Sequence, residues 1–334
     1  MTRMPRLATL LTVAALTACS AEDDAGASAS GSSGSDTGTA SGSGSTAPAS
    51  ATVASAEATA ATIGESSDGD SGGSDESSDS TGAEIPTEPF SFFVTSLRAL
   101  QELSDNEQGF GGDLRFGERG PGAGLRGADL ICATIAEQSM PGAANKQWRA
   151  FLSATDDGAG SPVAAIDRVG EGPWYDRLGR TFALTKADLL TERPTNIDPA
   201  IKDDFPNEDG VPNHQPDPTQ PEVDNHDTLT GTNEFGELYS PTATCLDWTS
   251  SLGDSAIDGL PRVGHMWPRY GGPPGGGGGG PGGDINPANW MSSLDESGCA
   301  PGVNLLETGP PDFNQNTVGS GGGYGAFYCF ALYP

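Results

Sequence analysis

Apolar residues are spread very unevenly along this chain. Leu7 to Leu16 form a short, nearly unbroken apolar run. Residues 20 to 85 then show no apolar periodicity at all. From Phe90 onward the pattern is that of a folded chain. Glu88-Pro-Phe-Ser-Phe-Phe-Val-Thr95 reads as a first strand, and residues 96 to 104 begin a short helix through Leu97, Leu100 and Leu103. Residues 109 to 124 are Gly-rich and read as a surface excursion. Over 125 to 139, Ala128, Ile131, Cys132 and Ile135 recur at spacings of three and four, which predicts an amphipathic helix. Pro141-Gly142 stops it. Trp148 to Ala154 reads as a strand, and 172–177 with 179–184 as a hairpin. Thr242-Ala-Thr-Cys-Leu-Asp-Trp-Thr-Ser-Ser-Leu252 mixes Thr, Cys and Trp in a way that suits a half-buried strand. Its expected partner is the most strand-like segment of the chain, Gly325 to Pro334. Thr228 to Thr232 leads toward it. Residues 191 to 227 are rich in Pro, Asn and Asp and read as a long loop. The run GGPPGGGGGGPGG at 271–283 fits neither helix nor strand and is expected to be a disordered insertion.

Composition sharpens this division. The 334 residues include 49 Gly and 26 Pro, and only 34% are hydrophobic. That balance means disordered parts attached to a globular part. The segment 20–85 holds 12 acidic residues and no Lys, Arg or aromatic. It cannot bury enough apolar surface to offset chain entropy, so a disordered tether is expected there. Its mean reach is about 45 Å, extended further by self-repulsion. The formal net charge of −30 argues against nucleic acid and against electrostatic docking on anionic lipid, since both need Lys and Arg.

Residues 1–19 read MTRMPRLATLLTVAALTAC. Arg3 and Arg6 make a positive start, and the apolar core is too short to span a bilayer as a mature helix. Leu16-Thr17-Ala18-Cys19 looks like a bacterial lipobox. That resemblance implies cleavage after residue 18 and lipidation of Cys19 with acyl chains such as palmitate. Ser20, in place of an Asp retention signal, points to the outer membrane by resemblance to Gram-negative lipoproteins. The remaining cysteines, Cys132, Cys245, Cys299 and Cys329, can pair in three ways, and an exported location lets disulfides persist.

Several short motifs follow one another in order: Phe-Phe-Val-Thr-Ser (92–96), Gly-Ala-Asp-x-x-Cys (127–132), Trp-Arg-Ala-Phe-Leu-Ser (148–153) and Thr-Cys-x-Asp-Trp-Thr (244–249). Gly-His-Met-Trp-Pro (264–268), Gly-Cys-Ala-Pro-Gly-Val-Asn (298–304) and Gly-Ala-Phe-Tyr-Cys-Phe (325–330) complete the series. The combination resembles bacterial lipoproteins carrying an endostatin-like domain of the C-type-lectin-like fold. The resemblance covers roughly residues 90–334. It implies an α+β domain with mixed and antiparallel sheets, one or two helices and two disulfides, Cys132–Cys329 and Cys245–Cys299. The expected organisation is a signal peptide (1–18), the lipidated Cys19 with its tether (19–85), and the domain (86–334).

Signs of catalysis are few. The three histidines, His214, His226 and His265, stand in no His-Glu-x-x-His pattern, and there is no Cys-x-x-Cys, phosphate loop or nucleophile elbow. His265 beside Trp267 reads as a packed loop residue, Asp247 and Arg149 as structural hydrogen-bond partners, and most of the five tryptophans as core. The strongest binding signal is the long loop. C-type lectins share calcium and sugar hydroxyls among carboxylate and amide oxygens, and Gln215-Pro216-Asp217 resembles their Gln-Pro-Asp tripeptide. Ca2+ takes six to eight oxygens, for which Asp203, Asp204, Asp209 and Asp217 are the expected donors. Ligand contacts are expected from Gln215, Asp217, Asp224, Asp227 and Trp267. Two departures stand against a lectin site: Trp290-Met291-Ser292 lacks the acid of the lectin Trp-Asn-Asp pattern, and Asp217 lies 28 residues before Cys245. The expectation is a non-catalytic recognition or adhesion module, lipid-anchored in the cell envelope, with a glycan or protein ligand. The alternatives are a hydrolase of envelope or extracellular polymer and a structural envelope protein.

Overall fold

The chain is described from a computed structural model that covers residues 85–214, 225–268, 286–305 and 315–333. These fall in one unit, residues 76–334. Cys19, nearly all of the tether, Gln215, Asp217, Asp224 and the glycine run 271–283 lie outside the described residues. No helix among the described residues is long and apolar enough to cross a membrane.

The domain is α+β, with mixed and antiparallel pairing, few helices and two disulfides. Its strands are β1 (Phe92–Val94), β2 (Trp148–Ala150), β3 (Trp174–Tyr175), β4 (Thr181–Ala183), β5 (Asp227–Leu229), β6 (Arg262–His265), β7 (Leu294–Asp295) and β8 (Ala326–Ala331). The helices are α1 (Leu97–Ser104), α2 (Ala123–Ser139), α3 (Ala165–Arg168) and α4 (Lys186–Leu189). The sheet runs β1-β8-β5-β6-β7, with β2 also on β8, while β3 and β4 form a separate hairpin. β8 is antiparallel to β1 and β2 and parallel to β5. Its six residues, AFYCFA, are all buried, so the segment expected to be most strand-like is the central strand.

The expected apolar face of α2 is the buried one: Ala128, Ile131, Cys132 and Ile135 are wholly covered. Cys132 on α2 bonds Cys329 on β8, and Cys245 bonds Cys299. The helix lies backbone to backbone on its neighbours. A Cβ at Gly127 would sit 2.2 Å from Arg115 O, and one at Gly124 would sit 2.1 Å from Asp247 O. Asp129, on the same helix, accepts from Ala150 N at 2.9 Å and, through both carboxylate oxygens, from Arg168 Nη2, tying α2 to β2 and α3. Phe92, Phe182, Phe205, Trp290, Tyr328 and Phe330 pack against one another to fill the core.

Residues 242–252 are not a strand, and they do not pair with the last strand. Cys245–Trp248 is one helical turn in which every residue has positive φ (48°, 54°, 55° and 63°). Alternating side chains cannot form on such a backbone. The turn is held from several sides. The Thr244 side chain accepts from Asp247 N, Asp247 accepts from Thr155 N and Oγ, and Trp248 Nε1 donates to Ser153 O at 2.8 Å. Asp247 is therefore a structural hydrogen-bond partner, as is Arg149, whose Nη1 donates to Trp148 O at 2.9 Å. The Trp148 strand is shorter than expected, ending at Ala150.

Candidate functional site

The unexplained polarity of the domain sits where β5 meets β6. Asp227 and His265 are direct cross-strand partners in the antiparallel register. His226 precedes Asp227, and its carbonyl accepts from Met266 N at 3.0 Å, which fixes it to the continuation of β6. His265 Nε2 lies 3.0 Å from Asp227 Oδ1, and His226 Nε2 lies 3.6 Å from the same oxygen. The two imidazoles meet edge to face, with centroids 4.6 Å apart. His265 is thus a strand residue facing a carboxylate, not a packed loop residue.

The protonation of His265 follows from its other nitrogen. Nδ1 lies 2.9 Å from the Pro287 carbonyl oxygen, which can only accept. Nδ1 therefore carries the proton, and in the neutral ring Nε2 turns a lone pair toward Asp227 Oδ1. Neither atom completes a directed hydrogen bond, and the same holds for Asp227 Oδ2 and Glu296 Oε1. These groups are withdrawn from water: the residues are 0% (His226), 1% (Asp227), 2% (His265) and 0% (Glu296) exposed. Burial, and then the neighbouring His226, push His265 below its ordinary pKa, toward the neutral ring. Burial, and then the Asp227 charge, hold Glu296 well above the usual carboxylate range. Burial works to raise Asp227, yet the His226 charge, His265 and a hydrogen bond with the Glu296 carboxyl keep it below its ordinary value.

The wall of the site is the glycine run 319–323. Gly322 O accepts from both His226 N and Asp227 N. Glu296 Oε2 accepts from Ser320 Oγ at 2.6 Å and from Gly321 N at 2.7 Å. A Cβ at Gly321 would stand 2.5 Å from Asp227 Oδ2 and 3.2 Å from Glu296 Oε2, so only glycine lets the backbone close on the two carboxylates. Arg193, buried behind the site, donates to the carbonyls of His265 and Met266 and lies over the Phe205 ring.

The third histidine joins from above. His214 stacks flat on Trp267, with centroids 3.8 Å apart and planes 7° apart, and Trp267 in turn approaches His226 at 6.4 Å. Asn225 Nδ2 donates to Asn213 O, Asn213 Nδ2 to Tyr324 Oη, and Tyr324 Oη to Thr95 O, so residues 213 and 225 are anchored together in the core.

Among the described residues, the group of three ligand-type side chains is His226, Asp227 and His265, with ligand atoms all within 4.8 Å of one another. Of the expected calcium donors, Asp203, Asp204 and Asp209 form no such group. Asp209 is exposed and pairs with Arg98 at 3.0 Å, Asp203 is exposed, and Asp204 accepts from His214 N at 2.9 Å. Asp227 and Trp267, expected to touch ligand, do stand in the site. His226, His265, Glu296 and the glycine run were not foreseen as partners. The available signal was the His226-Asp227 dipeptide at the start of a strand-like run. No family model matches the chain, and no curated protein or solved structure compared with it is similar.

Two buried carboxyls make the fold less stable as pH rises through the weakly acid range. Burial pushes Asp204 up to about 6 against the backbone N–H groups of His214 and Asn213 and the Arg193 charge. Burial likewise pushes Asp295 up to about 6 against Arg262. Between about pH 4 and pH 6 the folded state keeps protons that the unfolded chain has released, so stability falls as pH rises through that window. Each shift corresponds to at most about 3 kcal/mol. Urea unfolding in chelator should therefore give a higher midpoint at pH 4.5 than at pH 7.5, and Asp204→Asn should flatten part of that slope. Stability rising over the same range would contradict the assignment.

Proposed function

We propose that this chain is a lipid-anchored recognition module of the cell envelope, with a C-type-lectin-like fold, acting by binding rather than catalysis. The chain's own sequence supports the address: a positive start, a short apolar core and Leu16-Thr17-Ala18-Cys19. The ordered motifs from Phe92 to Phe330 support the fold. One observation carries the binding reading. Four of the five tryptophans are wholly buried, and Trp267 alone stays partly exposed, laid flat against His214 at the mouth of the polar cluster. A rigid aromatic pair beside polar groups is the kind of surface that takes a sugar ring or an extended peptide.

The test has two arms. In cells fed labelled palmitate, the full chain should take up label and sediment with membranes, and Cys19→Ser should do neither. On a glycan array, the purified full chain should bind a defined glycan class, and Trp267→Ala should lose at least about tenfold in affinity with an unchanged unfolding midpoint, as for a contact residue outside the core. Cleavage of array glycans, or binding indifferent to Trp267→Ala, would overturn the reading.

A further inference from the structure

We propose that His226, Asp227 and His265 bind one divalent transition-metal ion of the zinc type, held inside the domain as a structural centre. This goes beyond the recognition reading and does not depend on it. The first ground is geometry. In a tetrahedral site with bonds of about 2.0–2.1 Å, ligand atoms stand roughly 3.3 Å apart. The distances from Asp227 Oδ1 to the two imidazole Nε2 atoms, 3.0 and 3.6 Å, lie on either side of that value. The ligand atoms of all three residues lie within 4.8 Å of one another.

The second ground is the unsatisfied polarity. Asp227 Oδ1 and Oδ2 and His265 Nε2 are buried and complete no directed hydrogen bond. A lone pair facing a carboxylate oxygen in a dry site is repulsive unless a cation lies between them. The third ground is the support behind the ligand. His265 Nδ1 donates to the Pro287 carbonyl, so Nε2 is turned into the site, as metal-bound imidazoles are normally held. The Gly321 backbone presses against Asp227 Oδ2 and Glu296 Oε2, leaving Glu296 as the neighbouring carboxyl at the edge of the set.

The donor types select the ion. Two imidazoles and one carboxylate suit Zn2+, Co2+ or Ni2+, whereas Ca2+ and Mg2+ take oxygen. Burial selects the role. Ligands 0–2% exposed leave no open position for substrate, so the ion staples β5 to β6. The rival state is a proton shared by Asp227 and His265 with no metal, and the experiment separates the two.

The full chain, solubilised in detergent and freed of metal, is titrated with Co2+ in excess calcium, which occupies the acidic tether. The expected result is uptake of about one equivalent with the intense visible absorption of tetrahedral cobalt, displaced by zinc. Asp227→Asn and His265→Gln should each weaken binding by more than about a hundredfold, since even outer-shell losses cost about 10–100-fold. His214→Gln should leave it unchanged. His265→Cys, which keeps a ligand, should restore binding and add a sulfur-to-cobalt charge-transfer band. A folded, fully oxidised protein that takes up no cobalt or zinc overturns the proposal, and so does uptake indifferent to Asp227 and His265.

Discussion

Replacing Cys132 and Cys329 together by alanine lowers the stability of the domain by about 5 kcal/mol, the loop-entropy value for a bridge that closes 197 residues. No other change short of breaking up the core should cost as much. The bridge joins the buried face of α2 to the central strand β8, and β8 carries β1, β2 and β5. Without it, the unfolded chain regains the freedom of most of the domain. The Cys245–Cys299 bridge closes 54 residues, worth about 4 kcal/mol by the same reasoning. Guanidinium unfolding of the full chain, oxidised and as the two double variants, measures both. A loss below about 1 kcal/mol for the longer bridge would mean that the unfolded chain is already held compact by other means.

Zinc at a thousandfold excess over its dissociation constant stabilises the domain by about 4 kcal/mol, because an ion that binds only the native state adds its binding free energy to folding. For a unit of this size that is a rise of about 10 °C in the unfolding midpoint. Calcium should give no such rise, since the described acids that would bind it do not converge. Asp227→Asn should abolish the zinc effect. A zinc-dependent rise that survives Asp227→Asn would contradict the assignment.

Much of the scaffold is legible in the sequence. The α2 face, the β1 phenylalanines, the β3–β4 hairpin and the terminal strand are long or strongly patterned, so their burial follows from spacing. The disulfide pairing followed only from the resemblance, because four cysteines admit three arrangements. The stretch 242–252 misled because Thr, Cys and Trp suit a strand by composition, while the sign of φ at Cys245–Trp248 depends on tertiary partners such as Ser153 and Thr155. β6 and β7 were missed for a simpler reason: Arg-Val-Gly-His and Leu-Asp hold one apolar side chain each and none of the aromatic residues that mark β1, β3 and β4.

The candidate site was legible only in pieces. Asp227 was singled out as part of an acidic loop, and Trp267 as a separate ligand contact. Nothing local links His226 and Asp227 to His265; the pairing register of β5 and β6 does. The glycine run 319–323 precedes the last strand and carries no recognisable motif of its own. Its reason emerges only when a Cβ at Gly321 is placed against Asp227 and Glu296. Metal-ligand sets assembled across strands leave no spacing signature, unlike those carried on one helix or one short loop.

The most direct test is anomalous diffraction at the zinc edge from crystals of the domain grown with zinc. The account predicts one strong peak about 2.0–2.2 Å from Nε2 of His226, Nε2 of His265 and an Asp227 oxygen. No peak there, with the three side chains in the arrangement described, would contradict it.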